Sequence, residues 1–392
     1  MDSMKRPVPD GWGARQRRYC NGKPGRWPCR LRQAPLLVYP SAMQNDAHIP
    51  APAAAVEPAS AAPGIAAALA APVVATPFVA APFIKEIGRG KDGARSLSRD
   101  DAQAMYQAML EGRVSDLELG AILLAMRIKG ESVQEIAGFL AAAEASFTPL
   151  RAPAGDYAPV VLPSYNGSRK MANLTPLLCM LLVRRGVPVL MHGVTRDPQR
   201  LTSAEIFSAL GIAHAASGAQ AEALMAAGQP AFIPIAALAP SIARLLEMRR
   251  ILGVRNSTHT LVKIMQPFAQ PALRLTSYTH PEYLEMLSDY FGNAAPHDRG
   301  DAFLMRGTEG ETVANARRAQ RIDWFSHGTR TVLVEKQSVA EDVPELPEGS
   351  DALATARWIN EVLDGRRPVP QAIAEQVDHC VDVAARVRKN IS

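Results

Sequence analysis

The stretch Val160-Val-Leu-Pro-Ser-Tyr-Asn-Gly-Ser-Arg-Lys170 decides the fold of this chain. Val160 to Leu162 is a short, β-branched, apolar run that ends at Pro163, as a buried strand ends at its edge. Turn-forming residues follow, and a buried helix is predicted from Asn173 to Val183. A Gly and a Pro then separate this helix from a second apolar strand, Val187 to Met191.

Strand, loop, helix and strand together form a βαβ unit. In open α/β sheets, ligands bind beside the loops that leave the carboxyl ends of the strands. The loop that runs from Ser164 to Lys170 is therefore the first candidate for a binding site.

The segments on either side of this unit predict an α/β fold with a small helical N-terminal subdomain, residues 83–150, and a larger α/β domain, residues 151–392. Ser98, Ser115 (or Asp116) and Ser132 stand where helix N-caps are expected. Further helices are predicted at Ala204–Leu210 after a capping box, and at Ala219–Ala227, Pro240–Arg250, Ala352–Leu363 and Gln371–Val387. Strands are predicted at Phe232–Ala236 and Arg330–Val334.

The basic character of the chain is confined to its amino-terminal part. The 392 residues have a net charge of +5, but residues 1–33 alone hold nine Lys or Arg against two Asp. Residues 34–82 hold two acids and no Lys or Arg, which leaves residues 83–392 neutral overall. Binding of nucleic acid by the folded part must therefore depend on where its charges are placed.

The first 82 residues are predicted to be a disordered tail, because they hold 13 of the 31 Pro and long Ala runs. Their basic head suits nucleic acid or an anionic surface, although Met43 is an alternative start. Three Pro interrupt the apolar residues 64–83 and favour a linker over a membrane span. Without a signal-peptide layout, a cytoplasmic protein is expected. The four Cys have no metal-ligand spacing.

The central stretch resembles the heart of the anthranilate phosphoribosyltransferase family. That family has the loop Gly-Thr-Gly-Gly-Asp, then Asn-x-Ser-Thr, and a Lys-His-Gly-Asn motif at the next strand; here the same spacing gives Pro163–Gly167, Asn173–Pro176 and Met191–Val194. The resemblance implies a former phosphoribosyl-pyrophosphate site at Ser164, Asn166, Gly167, Asn173, Thr175, His192 and Gly193.

The substitutions within this site argue against ordinary phosphoribosyl-pyrophosphate binding. A Gly-rich loop lets backbone N–H groups close on a pyrophosphate. Pro163 has no N–H, and Tyr165 brings a bulky ring to a position where Gly would let a phosphate approach. Met191 stands where the family has a Lys, which removes a cation.

Two further motifs match the family. Arg249, Leu252, Gly253 and Arg255 keep its Arg-x-x-Leu-Gly-x-Arg pattern, and Arg249 falls where the family places the Arg that faces the anthranilate carboxylate. Near residue 310 the family has Gly-x-Asp-Glu, whose acids hold magnesium. Thr312 and Val313 occupy those two positions here, so neither a metal nor another cofactor is expected.

Three altered motifs in one site favour a lost activity on a retained scaffold. The replacements resemble those of the YbiB-type branch, TrpD-like proteins implicated in binding DNA and RNA, and the helical subdomain of the family carries its dimer contacts. We therefore predict a homodimer that binds DNA or RNA through its phosphates, with base stacking on Tyr165. The candidate residues are Arg89, Lys91, Arg95, Tyr165, Arg169, Lys170, Arg249, Arg250 and Arg255.

Two alternatives stay open at this point. One is a phosphoribosyltransferase or nucleoside phosphorylase with an unusual substrate or weak activity. The other is a pseudoenzyme that binds a protein partner. For each candidate cation, a purely structural or solvated role is also possible, since guanidinium groups suit carboxylates and phosphates equally.

Overall fold

The computed structural model describes residues 76–90, 92–340, 343, 345–347 and 351–390. Residues 1–75 of the predicted tail, the alternative start at Met43 and the candidate residue Lys91 lie outside these ranges. The last part of the predicted tail, residues 76–82, is described, and the predicted boundary is wrong because a helix already begins at Ala81.

One sheet forms the centre of the larger domain. Its strands are β1 (Val160–Ser164), β2 (Val189–Gly193), β3 (Ala231–Pro234), β4 (Leu273–Ser277), β5 (Ala302–Met305), β6 (Ile322–Ser326) and β7 (Thr329–Val334). They are arranged in the order β3-β2-β1-β4-β5-β6-β7. The strands β1 to β5 pair in parallel, and β6 and β7 add an antiparallel hairpin at one edge.

The helices of the described residues surround this sheet and build the N-terminal subdomain. They are α1 (Ala81–Ile87), α2 (Arg99–Leu110), α3 (Asp116–Lys129), α4 (Val133–Ala145), α5 (Thr175–Arg184), α6 (Ser203–Ala209), α7 (Gly218–Ala226), α8 (Ile235–Leu238), α9 (Pro240–Leu252), α10 (Thr258–Leu261), α11 (Pro281–Asp289), α12 (Ala352–Leu363) and α13 (Gln371–Lys389). A π-helical turn, Tyr290–Ala294, and a 3-10 turn, His297–Arg299, follow α11.

The N-terminal helices begin where their caps predict. Ser98, Ser115 and Ser132 each accept a hydrogen bond from a backbone N–H in the first turn, which satisfies a donor that the helix leaves free. The acid of the third cap, Glu135, is fully buried, and it accepts from Leu97 N at 2.9 Å and from Lys129 Nζ at 2.7 Å. This buried acid therefore fixes α4 against the segment that precedes α2.

The helical subdomain also uses segments from later in the chain. The side chains of Tyr106 on α2 and Phe139 on α4 stack with their ring centres 5.1 Å apart. The Tyr106 hydroxyl lies 2.9 Å from Thr258 Oγ1 on α10. Helices α9 and α10 therefore extend the bundle and bring their connection, residues 253–257, to its boundary with the sheet.

The pattern-based predictions located most elements to within two residues. The predicted strand Phe232–Ala236 is wrong in its second half: β3 ends at Pro234, and Ile235 already begins α8. A short apolar run does not by itself distinguish a strand from a buried helix. In the part of the chain described above, we find no helix with the length and apolar character needed to span a bilayer.

Candidate functional site

The candidate site lies at the switch point of the sheet, between β1 and β4, from which the strand order runs outward in both directions. β1 and β4 are neighbours in the sheet, and the chain leaves both at their carboxyl ends, Ser164 and Ser277. In a doubly wound sheet a crevice opens at such a switch point, and ligands bind there. The loop after β1, residues 164–171, forms one side of this crevice.

The base of the loop is held by buried polar contacts. Ser164 Oγ lies 2.8 Å from Ser203 Oγ, and Asn173 Nδ2 donates to the same hydroxyl at 3.0 Å. Asn173 Oδ1 in turn accepts from the backbone N–H and the hydroxyl of Thr175. Gly193 lies against the backbone of Ser164, because a Cβ at position 193 would lie only 1.9 Å from Ser164 O. The structure thus brings these predicted site residues together, with their polar groups bonded to one another.

Tyr165 and His192 form a buried pair beneath the same loop. The Tyr165 hydroxyl lies 2.7 Å from His192 Nδ1, and both side chains are buried. Burial lowers the pKa of His192 to about 3, so its ring is neutral at physiological pH. The predicted base stacking on Tyr165 does not fit this position, because the ring packs in the interior and not on an open surface.

The backbone N–H groups at the tip of the loop are occupied by an acid from the same chain. Glu311 Oε1 accepts from Asn166 N at 2.8 Å and from Gly167 N at 2.7 Å. The Glu311 side chain is only 1% exposed, and among the described residues its Oε2 atom has no hydrogen-bond partner. A carboxylate therefore lies where a Gly-rich loop would hold a phosphate oxygen.

A second acid of the same turn binds the rest of the loop. Glu309 Oε2 accepts from Arg169 N at 2.6 Å, and its Oε1 accepts from Lys170 N at 2.8 Å and Met171 N at 3.1 Å. Five backbone N–H groups thus meet two carboxylates from one turn, residues 307–313. We call these five groups, the N–H groups of Asn166, Gly167, Arg169, Lys170 and Met171, the amide cradle.

Hydrogen bonds to Gly310 hold this turn across the crevice. Its carbonyl oxygen accepts from Ser277 Oγ at 2.6 Å, from Asn166 Nδ2 at 2.9 Å and from Lys263 Nζ at 3.4 Å. Its φ of 90° lies in the region that favours glycine, and a Cβ there would lie 1.9 Å from Asn166 Nδ2. The turn therefore joins the ends of β1 and β4 and depends on a glycine at this position.

The residues at the family's magnesium position do not fit a magnesium ion. Thr312 and Val313 are buried and offer no carboxylate. The nearest acid, Glu311, already binds two backbone N–H groups with one oxygen. In the described parts of the chain, no group of three or more His, Cys, Asp and Glu is arranged to hold a metal ion.

A cluster of cations faces the crevice beside the turn. Arg255 Nη2 donates to Asn166 Oδ1 at 2.9 Å. Burial lowers the pKa of Arg255, and the charges of Arg249 and Arg200 lower it further. Burial also lowers the pKa of Lys263 to about 8; Glu311 opposes this shift, whereas Arg255 and Arg200 add to it. We call Arg200, Arg249, Arg255 and Lys263 the basic cluster.

The basic cluster opens into a cleft between the helical subdomain and α11. The cleft is lined by Arg127, Glu131, Arg255, Asn256, His259, Thr260, Lys263, Ser277, Tyr278, Thr279, His280, Tyr283 and Leu287. Arg127 Nη1 donates to the Tyr283 hydroxyl at 3.3 Å. Burial and the charges of Arg255 and Arg249 lower the pKa of His259 to about 3, so this side chain adds no charge near neutral pH. The cleft thus combines cations with aromatic rings.

The structure brings only some of the predicted cations to this cleft. Arg255 lines it, and Arg249 is near enough for its charge to act on Arg255. The side chains of Arg169 and Lys170 are exposed on the loop after β1, and their backbone N–H groups donate to Glu309. Arg250 is exposed and forms an ion pair with Glu247 at 2.8 Å.

Two other predicted cations belong to an ion-pair group of their own. Arg89 and Arg95 face Glu86, at 2.5 and 4.0 Å. Arg127, Arg200 and Lys263 are not among the predicted cations, because only the fold brings them to this region.

Comparisons with known proteins agree with this architecture. Residues 81–146 match the family described as "Glycosyl transferase family, helical bundle domain". The chain is 46% identical over 299 residues to the uncharacterized protein YbiB of Escherichia coli (strain K12), covering 76% of this chain and 92% of YbiB. It is 25% identical over 280 residues to anthranilate phosphoribosyltransferase of Novosphingobium aromaticivorans, covering 70% of this chain and 82% of that enzyme.

Solved structures agree on the fold. The anthranilate phosphoribosyltransferase of Thermus thermophilus matches with a TM-score of 0.59 and 21% identity, over 78% of this chain and 89% of that one. The enzyme of Saccharomyces cerevisiae in complex with PRPP and Mg matches with a TM-score of 0.58 and 12% identity. The match covers 79% of this chain and 89% of that one.

A helical bundle joined to an α/β sheet, with a crevice at the switch point, defines a protein with the fold of the anthranilate phosphoribosyltransferases. The chain belongs to the anthranilate phosphoribosyltransferase-like family of glycosyl transferases, and YbiB is its relative within that family.

Proposed function

We propose that this protein binds the phosphate backbone of DNA or RNA in the basic cleft, with little sequence preference and without phosphoribosyl transfer. The observation that carries the proposal is that Arg127, Arg255 and Lys263 line one cleft. Burial has the largest effect on the pKa of Arg255 and of Lys263, and repulsion by neighbouring cations, including Arg200, lowers both further. A bound polyanion relieves such repulsion and releases its own counterions.

Cations continue beyond the cleft. Burial raises the pKa of Tyr278 in the cleft wall, and Asp323 raises it further, whereas Arg306, Arg321 and Arg330 lower it. These three Arg therefore lie within electrostatic reach of the cleft, although Arg321 and Arg330 also pair with Asp323. Cations that extend beyond the cleft in this way suit an extended polyanion better than a single small ligand.

The contacts of the loop disfavour the transferase reaction. The amide cradle is filled by Glu309 and Glu311, so a pyrophosphate would have to displace two carboxylates of like charge. No carboxylate is available at the family's magnesium position, where Thr312 and Val313 stand. Without that charge neutralisation, departure of a pyrophosphate is strongly impaired.

The second candidate function is phosphoribosyl transfer to an unusual or weakly used acceptor. The named relatives favour it, since N. aromaticivorans and T. thermophilus provide anthranilate phosphoribosyltransferases, while YbiB is itself uncharacterized. The cleft adds a specific observation: half-buried Arg255 and the nearby Arg249 would also suit the carboxylate of a small aromatic acid.

The test compares full-length proteins that all carry the same basic tail. The variant Arg255→Ala with Lys263→Ala removes two cluster cations, and the control Arg185→Ala with Arg366→Ala removes two exposed cations paired elsewhere. Binding of single- and double-stranded DNA and RNA is measured against salt concentration. We expect the first variant to lose at least about tenfold in affinity, and about two units of salt slope, one for each lost duplex-phosphate contact.

Three outcomes of this comparison decide between the candidates. Equal binding by the wild type and the cluster variant would exclude the cleft as the nucleic-acid site. An equal loss in the control would show that total charge matters and position does not. Turnover of anthranilate and phosphoribosyl pyrophosphate by the wild type, sensitive to Arg255→Ala, would support the transferase instead.

The proposal includes a homodimer formed through the helical subdomain. On α3 the apolar side chains of Leu117, Leu124 and Ile128 are 86%, 46% and 62% exposed. Their spacing of seven and four residues places them on one face of the helix. A second copy covering this stripe would bury it, and the symmetry of such a pair would present two basic clefts to one polyanion.

A further inference from the structure

A second cavity lies at the end of the sheet opposite to the basic cleft. It is lined by residues 153–157, by residues between 183 and 188, and by residues between 225 and 229, which precede β1, β2 and β3. Its volume is about 170 Å³. A cavity of about 150 Å³ in a protein holds a molecule the size of benzene, so this one holds a group of about six non-hydrogen atoms.

The lining of this cavity combines apolar and polar side chains. Val187 and Met225 are buried and supply its apolar part. Asp156 and Gln229 are exposed, Tyr157 is half-buried, and all three line the cavity. Within the described part of the chain, the side chains of these three residues have no hydrogen-bond or ion-pair partner. A carboxylate, a phenol hydroxyl and an amide are therefore free to bind a ligand there.

Two helices end at the cavity. The last residues of α5 and α7 are Arg184 and Ala226, and Gly186 and Gly228, just beyond these helices, both belong to the lining. The last carbonyl groups of a helix have no partner within it, and together they carry about half a negative charge. With Asp156, these two helix ends make the cavity a negative site.

No basic side chain offsets this negative charge within the cavity. None of the lining residues, all of which lie in the described ranges, is Lys, Arg or His. Arg184 and Arg185, which follow Val183 in the sequence, are bound elsewhere: Arg184 Nη1 donates to Leu363 O, and Arg185 Nη1 pairs with Asp378 Oδ1 at 2.9 Å. The cavity is therefore suited to a cation, in contrast to the basic cleft.

The Tyr157 ring gives the site a face for an organic cation. A Cβ at position 186 would lie 3.9 Å from Tyr157 Cε2, so the ring lies beside Gly186. The face of a Tyr ring attracts ammonium groups, and the neighbouring Asp156 supplies the opposite charge. A metal ion fits less well, because it requires several oxygen ligands and the lining side chains offer only one carboxylate.

We propose that this cavity binds a primary alkylammonium group, with its charge at Asp156 and Tyr157 and its alkyl chain against Val187 and Met225. A small free amine and the Lys side chain of another protein present this same chemistry. The inference goes beyond the proposed function, because it concerns a cationic ligand at the amino ends of the strands and not a polyanion in the basic cleft.

The experiment titrates the full chain with n-butylamine near neutral pH, where the amine is protonated, and with 1-butanol as the uncharged molecule of similar shape. Binding is followed by saturation-transfer NMR of the ligand, and the Kd values are compared. Asp156→Asn removes the acid, Tyr157→Leu removes the ring, and Ala226→Trp fills the cavity from an exposed position. Asp100→Asn makes the same change of charge at an exposed acid of the helical subdomain.

We expect n-butylamine to bind at least about threefold more tightly than 1-butanol, and Asp156→Asn to remove this difference. Tyr157→Leu should weaken binding of the amine more than binding of the alcohol, and Ala226→Trp should abolish both. Asp100→Asn should behave as the wild type does. Equal binding of amine and alcohol by the wild type, an equal loss in Asp100→Asn, or unchanged binding by Ala226→Trp overturns the inference. If Tyr157→Leu does not fold, the variants at the two exposed positions, Asp156 and Ala226, decide.

A second pair of titrations distinguishes the two sources of the ammonium group. The peptide acetyl-Gly-Lys-Gly-amide carries the Lys side chain between backbone groups, and acetyl-Gly-Gln-Gly-amide is its uncharged control. A Lys peptide that binds at least as tightly as n-butylamine, and loses this affinity in Asp156→Asn, assigns the site to a partner's Lys. Binding of the amine alone assigns it to a small free amine, and binding of neither overturns the inference. Nucleic-acid binding is measured separately and should not change in Asp156→Asn, so the two proposals fail independently.

Discussion

Arg255 donates from Nη2 to Asn166 Oδ1 at 2.9 Å and so joins the connection between α9 and α10 to the loop after β1. The same Asn166 offers its backbone N–H to Glu311 and its Nδ2 to Gly310 O. One amide side chain is therefore bonded to the basic cluster and to the turn that fills the cradle. Substitutions in the turn and in the cluster should consequently not be additive in stability, because they share this partner.

The first prediction is that the wild-type protein does not transfer a phosphoribosyl group to anthranilate in the presence of magnesium. Neither Thr312 nor Val313 supplies a carboxylate for the metal, and Glu311 is committed to two backbone N–H groups. The measurement is anthranilate consumption followed by its fluorescence, with an active family enzyme as the reference. Turnover at a rate near that of the reference would contradict this prediction.

The second prediction concerns Tyr165→Phe. The change leaves the ring in place but removes the hydroxyl 2.7 Å from His192 Nδ1, in a fully buried site. An unsatisfied buried polar group costs about 1–3 kcal/mol, so the free energy of unfolding should fall by that amount. Because the ring is not on the surface, affinity for single-stranded DNA should not change. A loss of affinity without a loss of stability would restore the stacking role.

Local patterns of the sequence predicted the framework of this site. The apolar run that begins at Val160 and the helix and strand after it were correctly assigned, because periodicity and Pro or Gly boundaries act over short distances. The caps at Ser98, Ser115 and Ser132 were found for the same reason. Each of these signals lies within a few residues of the feature that it predicts.

The hydrogen bonds from the backbone N–H groups of the loop to Glu309 and Glu311 could not be predicted in this way. Glu311 and Asn166 are 145 residues apart, and only the pairing of β1, β4 and β5 brings them together. The sequence does reveal two acids near a missing metal site, but their use as hydrogen-bond acceptors for the loop is a tertiary fact. Arg200 and Lys263 are equally inaccessible to pattern analysis, since no motif contains them.

The third prediction is that binding of nucleic acid weakens with rising pH through Lys263. Burial lowers its pKa to about 8, with Glu311 opposing and Arg255 and Arg200 adding to the shift. The protonated form predominates near pH 7 and binds phosphate, and the neutral form above the pKa does not. Affinity should therefore fall between about pH 7 and about pH 9.5, and the salt slope should fall by about one unit.

Lys263→Arg provides the matched control, because a guanidinium stays protonated over this whole range. Its affinity and salt slope should be independent of pH between the same limits. Equal pH dependence in the wild type and in Lys263→Arg would assign the titration to another group. A wild type with no pH dependence at all would place Lys263 outside the interface.

The last prediction is that the apolar stripe on α3 holds two copies together. Leu124→Glu with Ile128→Glu places two charges on the exposed face, where burial against a second copy would be strongly unfavourable. The wild type should sediment as a dimer at micromolar concentration, and this variant as a folded monomer. Leu353→Glu, on α12, changes a side chain that is 64% exposed outside the stripe and should leave the dimer intact. In the monomer, affinity for long nucleic acids should fall more than affinity for short ones, because only a dimer places two clefts on one strand. A wild type that sediments as a monomer, or a dimer that survives both Glu substitutions, would show that α3 is not the interface.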